Sequence, residues 1–486
     1  MLRPEEYSAI RFAIGSLPGD LSNDAIGDHA PKLQDMYAPE THATALDPAI
    51  PIIVGSRGVG KSFWSGVLGQ EATRGAAAVA YPRLGLSNLK VGFGFTGYVS
   101  GPDGVSSEAL NALVPPDAGM DQAKAFWWAT ILRAAARAAG DQPRLSELVP
   151  AGLDWETRED VITQHEQRLR GEGKVLLVVY DALDAVATNW PRRRLLTEAL
   201  LEVVWAMRAY RAIKLKLFLR PDQIDDDALR FIELPKLRTG AVRLTWSGRD
   251  LFGLLYARLA LTQEPSAAEA FKRLLSSLNI ATADRDGILS RRWVLAHDAR
   301  LQARVMEVLG GPYMAAGPHG YKKGRTYDWP LKHLGDAFEE VTPRSFLGLM
   351  IGAAKRDSPL DRVITADGIR HGLREASRTR VDQLHQEFPW IKGVLAPLAG
   401  LLLPQEEGEV FAVWRRARTI SLLIADAAAR KYLPPFPMEG QQDEGQLFEA
   451  LRRIGVMFRR RDERIDMPDL FRVAAKLLKK GATAPL

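Results

Sequence analysis

The chain has 486 residues, 46% of them hydrophobic and 26% charged, with a formal net charge of +6 and no cysteine. That length points to two or three domains of an ordinary globular protein, and the missing cysteines exclude disulfides, thiolate metal sites and a cysteine nucleophile. The N-terminus, Met1-Leu-Arg-Pro-Glu-Glu, lacks an apolar signal core, and the longest apolar stretch, residues 393–403, is about half what a bilayer requires. A cytoplasmic location without a membrane anchor is therefore expected.

In chain order, residues 5–17 read as a helix and Tyr37-Ala-Pro-Glu-Thr-His42 as a polar loop. The run Ile50-Pro-Ile-Ile-Val54 is a strand, followed by Gly55-Ser-Arg-Gly-Val-Gly60-Lys61-Ser62 and a helix over residues 63–70. Residues 77–81 suggest a second strand. Residues 91–105, Gly-rich with alternating aromatics, suggest a hairpin or an ordered loop. Residues 121–139 form a helix with Phe126, Trp127, Ile131 and Leu132 on its core side. Val175-Leu-Leu-Val-Val-Tyr180 and Leu215-Lys-Leu-Phe-Leu219 have the continuous apolar character of buried strands. A long helix, residues 192–211, separates them, as in a right-handed βαβ unit. A last strand, residues 241–245, precedes a helix over 250–260.

The remainder is mostly helical. Thr342-Pro-Arg-Ser has an N-cap and a proline at the first helical position. The tail reads as a helix (444–453), a strand (455–460), a turn (461–464), a short strand (465–467) and a helix begun by Pro468. Residues 446–486 carry ten Lys or Arg and five Asp or Glu. Such a basic tail suits nucleic acid, an acidic partner or plain solvent.

The expected architecture is a three-layer α/β phosphate-loop domain with a mainly parallel sheet over residues 1–262. A helical region (263–440) and a winged-helix-like end (441–486) follow.

Gly55, Ser56, Arg57, Gly58, Val59, Gly60, Lys61, Ser62 and Phe63 form or adjoin a G-x-x-x-x-G-K-[ST] loop between a strand and a helix. Glycines let successive backbone N–H groups converge on a phosphate at a helix N-terminus. Lys61 is the candidate for the β- and γ-phosphates, and Ser62 with Asp181 for Mg²⁺. Asp184 is a candidate to orient water or to cap a helix. Arg220, at a strand end, is a candidate γ-phosphate sensor or a surface partner of Asp222 or Asp225. Arg344 is a candidate phosphate contact from a lid. The eight histidines have no metal-ligand spacing, and no Ser-His-Asp arrangement emerges.

Taken in order, GSRGVGKS, LLVVYDALD, LFLRPD, the segments around Val242–Ser247 and Leu254–Arg258, Thr342-Pro-Arg344 and the tail resemble the AAA+-related P-loop ATPases, nearest to the STAND and KAP-type branch. The resemblance implies ATP and Mg²⁺ as ligands, with Walker A, Walker B, sensor 1 and lid-arginine roles for those stations. It also implies conformational switching or assembly, and in many bacterial members defence against phage. One departure is Ala182, where such ATPases usually place a second acid, so slow hydrolysis is expected unless Asp184 substitutes. No N-K-x-D guanine signature and no L-S-G-G-Q segment is present.

Three readings follow. One is an ATP-dependent switch acting with partner effector proteins or by self-association, with Arg192, Arg193 and Arg194 as candidates to complete a neighbouring subunit's site. Another is a DNA-binding ATPase using Arg459, Arg460, Arg461 and Arg464. The third is a non-hydrolysing ATP-bound scaffold.

Overall fold

The computed structural model describes residues 2–19, 30–97, 104–187, 190–225, 229–356, 359–436 and 440–485. The chain divides into two compact units, Leu21–Thr245, and Met1–Asp20 with Trp246–Leu486.

The Leu21–Thr245 unit is built on β1 (Ile52–Val54), β2 (Leu89–Phe95), β3 (Val175–Tyr180), β4 (Ile213–Leu219) and β5 (Val242–Arg243). All five are parallel, in the order β2-β3-β4-β1-β5. Successive side chains of a strand face opposite sides, and here both sides are covered. Ile52, Val54, Leu176, Val178, Leu215, Leu217 and Leu219 share one core with Phe126 and Trp127 of the helix Met120–Ala139 and Leu200 of the helix Trp190–Ala206. Ile53, Leu177, Val179 and Phe218 are equally buried on the alternate face, where the helix Lys61–Gly69 packs on β2, β3 and β4. This is a three-layer α/β arrangement, and burial on both faces explains why β3 and β4 read as unbroken apolar runs.

Lys216 interrupts β4 yet is fully buried. Its ammonium donates to the carbonyl oxygens of Ala45, Asp47 and Ile50, each at 2.8 Å. Burial pushes Lys216 down to about 7, and the three acceptors offset that desolvation while fixing the segment that leads into β1.

Two expected elements differ. Residues 77–80 close the helix Glu71–Ala80 rather than forming a strand. The segment is dominated by alanine, the strongest helix former, which outweighs Val79 and Tyr81. Residues 89–95 form neither a hairpin nor a loop but β2, a parallel edge strand beside β3; residues 98–103 lie outside the described residues. A Cβ at Gly94 would sit 2.3 Å from the Tyr180 ring, so glycine lets that ring cross the strand and reach Thr130, with the two hydroxyl oxygens 2.8 Å apart.

The other unit is mainly helical. The helix Pro4–Gly15 packs on the helices Pro265–Ser277, Pro343–Lys355 and Gly248–Ala260, burying Tyr7, Ile10, Ala13 and Ile14. The boundary expected from sequence joined this helix to the phosphate-loop domain; its apolar face instead belongs with residues 246–486. The helix Pro343–Lys355 also lies along Ala366–Glu387. Near the C-terminus, β6 (Leu402–Leu403) pairs with a later strand, Leu478–Lys479, while β7 (Phe458–Arg459) and β8 (Ile465–Asp466) form an antiparallel hairpin. The helix Glu444–Arg453 precedes that hairpin and the short helix Asp469–Arg472 follows it, the order of a winged-helix-like end. The hairpin strands are shorter than expected, two residues each. Among the described residues, no helix is long and apolar enough to cross a membrane.

Candidate functional site

The C-terminal ends of β1, β3 and β4 lie at one edge of the parallel sheet, the edge where ligands bind in open α/β sheets. Residues 55–60 turn the chain from β1 into the helix Lys61–Gly69. Gly58 and Gly60 have φ of +82° and +107°, left-handed values that a Cβ would penalise. The loop is seated from beneath by buried Val59 and Phe63, and the Gly55 N–H donates to the Leu219 carbonyl oxygen at 3.0 Å. Arg57 is half-buried on the loop. Buried Trp64, one turn into the helix, donates from Nε1 to His42 Nδ1 at 2.9 Å. His42 Nε2 lies 3.0 Å from the Thr245 carbonyl oxygen, so the imidazole carries its proton on Nε2. It ties the helix after the loop to the end of the unit.

The Lys61 ammonium folds back over the loop, donating to the carbonyl oxygens of Gly55 at 2.7 Å and Ser56 at 3.1 Å. The Ser56 Oγ is buried and lacks a hydrogen-bond partner among the described residues. Asp181 follows β3, its N–H donating to Phe95 at 3.0 Å, and its side chain is buried. Burial pushes the Asp181 carboxyl above its ordinary value, against the hydrogen bond from Ser62, the Ala182 N–H and the Lys61 charge. Lys61, Ser62 and Asp181 thus form one interacting group. A buried carboxylate beside a hydroxyl is an all-oxygen donor pair, which suits Mg²⁺, an ion that usually takes one or two carboxylates and completes its shell with water and phosphate.

Arg220 ends β4 and is buried. Its guanidinium pairs with Asp222, Nε to Oδ1 at 3.1 Å, and with Asp184, Nη1 to Oδ2 at 3.4 Å. Asp222 is also held by Arg193 at 2.9 Å. Burial works against its ionised form, but the charges of Arg220 and Arg193 hold it below its ordinary value. The Asp184 side chain is 44% exposed, so this chain of charges runs from solvent into the protein. Between Asp181 and Asp184 lies Ala182 at φ +52°, a left-handed value uncommon for alanine.

Lys61, Ser62, Asp181, Asp184 and Arg220 therefore gather at one sheet edge. Arg344 belongs to the other unit, half-buried in the first turn of Pro343–Lys355, where the Thr342 Oγ accepts from the Ser345 N–H at 3.2 Å. Arg193 is buried in its ion pair, and Arg192 donates to the carbonyl oxygens of Pro115 at 2.8 Å and Val114 at 2.7 Å. Both are therefore engaged inside their own unit. On the C-terminal hairpin, Arg459 pairs with Glu407 and lies over the Phe448 ring, Arg464 binds Asp462 at 2.7 Å, and Arg460 is 3.8 Å from Asp462. Sequence spacing gave no signal for Arg193, Asp222 or His42, whose partners come from distant segments.

No known family model matches the sequence, and no curated protein matches it. Among solved structures, the chain is similar to the ORC2 protein of Aeropyrum pernix in ADPNP–ADP complexes, at 14% identity and a TM-score of 0.40, over 91% of this chain and 94% of that one. It is also similar to a Walker-type ATPase of Pyrococcus abyssi, at 12% identity and a TM-score of 0.33, over 94% of this chain and 97% of that one. Both likenesses are distant.

Proposed function

We propose that this chain binds ATP with Mg²⁺ and hydrolyses it slowly, using the nucleotide to switch conformation or assembly. The observation that carries this reading is the grouping of Lys61, Ser62 and Asp181 around a glycine-turned loop at the ligand-binding edge of a parallel sheet. The loop N–H groups and the start of the helix Lys61–Gly69 favour a phosphate. A phosphate there offers the Lys61 ammonium a charged acceptor in place of two neutral carbonyl oxygens, and charge-assisted hydrogen bonds are the stronger. Ser62 and Asp181 are the residues that would hold Mg²⁺, which neutralises charge on the β- and γ-phosphate oxygens when bound.

Slow turnover follows from Ala182. A carboxylate directly after Asp181 is absent, and Asp184, the next acid, already pairs with Arg220. Arg220 at the end of β4 is the candidate to register the γ-phosphate, exchanging Asp184 for a phosphate oxygen. Arg344 remains a candidate contact from the helical unit.

Calorimetry of ATP·Mg²⁺ binding to wild type and Lys61→Ala tests the assignment. Loss of a charge-assisted hydrogen bond worth about 1.5–3 kcal/mol weakens binding about 10- to 150-fold; equal affinities would remove the assignment. Wild-type turnover is expected below the ~1–1,000 s⁻¹ of typical enzymes.

A further inference from the structure

Between Glu307 and Asp328 the sequence has no acidic residue but contains Lys322, Lys323, Arg325 and His319 among Tyr313, Tyr321 and Tyr327. This segment is an ordered, hairpin-like excursion between the helices Ala299–Gly310 and Asp328–Leu334. Tyr313 and Arg325 form an antiparallel bridge. The Met314 N–H donates to Gly324 at 2.9 Å, and the Thr326 N–H to Pro312 at 3.2 Å. The base is fixed from inside by fully buried Met314, whose carbonyl oxygen accepts from Arg370 at 2.6 Å.

The tip presents its side chains to solvent. Tyr321 is 56% exposed and Tyr313 40%, and the Tyr321 ring lies 6.4 Å from the exposed His319 ring. Lys322 and Lys323 are exposed and make no ion pair among the described residues. Arg325 pairs with Glu307 at 3.2 Å. A backbone this well tied does not need exposed rings for its own stability, since a tyrosine stabilises a fold by burying its ring.

We propose that residues 313–325 form a docking surface for single-stranded nucleic acid. The lysines would neutralise phosphates, and Tyr321, Tyr313 and His319 would stack on unpaired bases. Charge complementarity names a polyanion, and the accessible rings favour one whose bases are unpaired, because paired bases in a duplex offer no face to a side chain. The C-terminal hairpin fits less well, since Arg459, Arg460 and Arg464 already face Glu407 and Asp462. This proposal does not depend on nucleotide binding at the phosphate loop.

Fluorescence anisotropy on the full chain, with labelled 20-nucleotide single-stranded DNA, the matching RNA and the matching duplex, tests it. Single strands are expected to bind more tightly than duplex at low salt, the tighter of the two identifying the natural class. In the Lys322→Ala/Lys323→Ala variant the salt slope should fall by about 1.4, since each phosphate neutralised on a single strand contributes about 0.7. Tyr321→Ala should weaken binding about 5- to 150-fold, with Tyr321→Phe near wild type. Absence of wild-type binding at low salt, a preference for duplex, or unchanged binding in both alanine variants would overturn it. All these side chains are exposed, so unchanged thermal midpoints should accompany the losses.

Discussion

At the scale of single residues, Asp181 carries a tension between stability and chemistry. Burial raises its carboxyl above the ordinary value, so the folded protein takes up this proton at a higher pH than the unfolded chain does. The stabilisation gained by protonation is complete below the unfolded value and is lost as pH rises through the folded one. Near neutral pH, without nucleotide or metal, the ionised group therefore opposes folding. Asp181→Asn should unfold at a higher temperature than wild type at pH 7, with the difference shrinking as pH falls, while the Mg²⁺ dependence of ATP binding disappears. A lower midpoint at pH 7 would mean that the Ser62 hydrogen bond to the carboxylate outweighs burial. The motif GVGKS made the loop legible in the sequence, and the apolar run before Asp181 made that residue legible. The pairing of Arg220 with both Asp222 and Asp184 was not, because it joins the ends of different strands through tertiary contact.

At the scale of elements, β3 and β4 were readable because a strand covered on both faces leaves an unbroken apolar record. The strand β2 was not, because its glycines at 92 and 94 weaken every local strand signal. Their reason lies elsewhere, in Ala134 beside Gly92 and the Tyr180 ring beside Gly94. Gly94→Ala should cost about 1–3 kcal/mol by overpacking against Tyr180, measured by urea unfolding; an unchanged midpoint would show that the ring moves freely. Residues 77–80 conceal their helix for the opposite reason, since Val79 and Tyr81 lend a strand-like look to an alanine-rich segment.

At the scale of the whole molecule, the N-terminal helix decides where the units divide. Tyr7, Ile10, Ala13 and Ile14 are buried against residues of the Trp246–Leu486 part. Deleting residues 1–19 should destabilise that unit by several kcal/mol, at about 1.5–3 kcal/mol for each large side chain exposed. Calorimetry should show a lowered transition for the helical unit; a shift confined to the Leu21–Thr245 unit would return the helix to the phosphate-loop domain. Sizing of the full chain with and without ATP tests nucleotide-driven assembly, with a larger species expected only when ATP is present.

The sequence by itself determined the phosphate loop, the two central strands and the order of helices that follows, because each leaves its mark within about twenty consecutive residues. Only the tertiary structure decided the company those residues keep. Strand order set β4 between β1 and β3 and so brought Arg220 to the edge shared with Lys61 and Asp181. Long-range packing returned the helix Pro4–Gly15 to the far end of the chain and met the hairpin arginines with acids. Local periodicity records which face of an element is buried; it does not record which distant segment buries it.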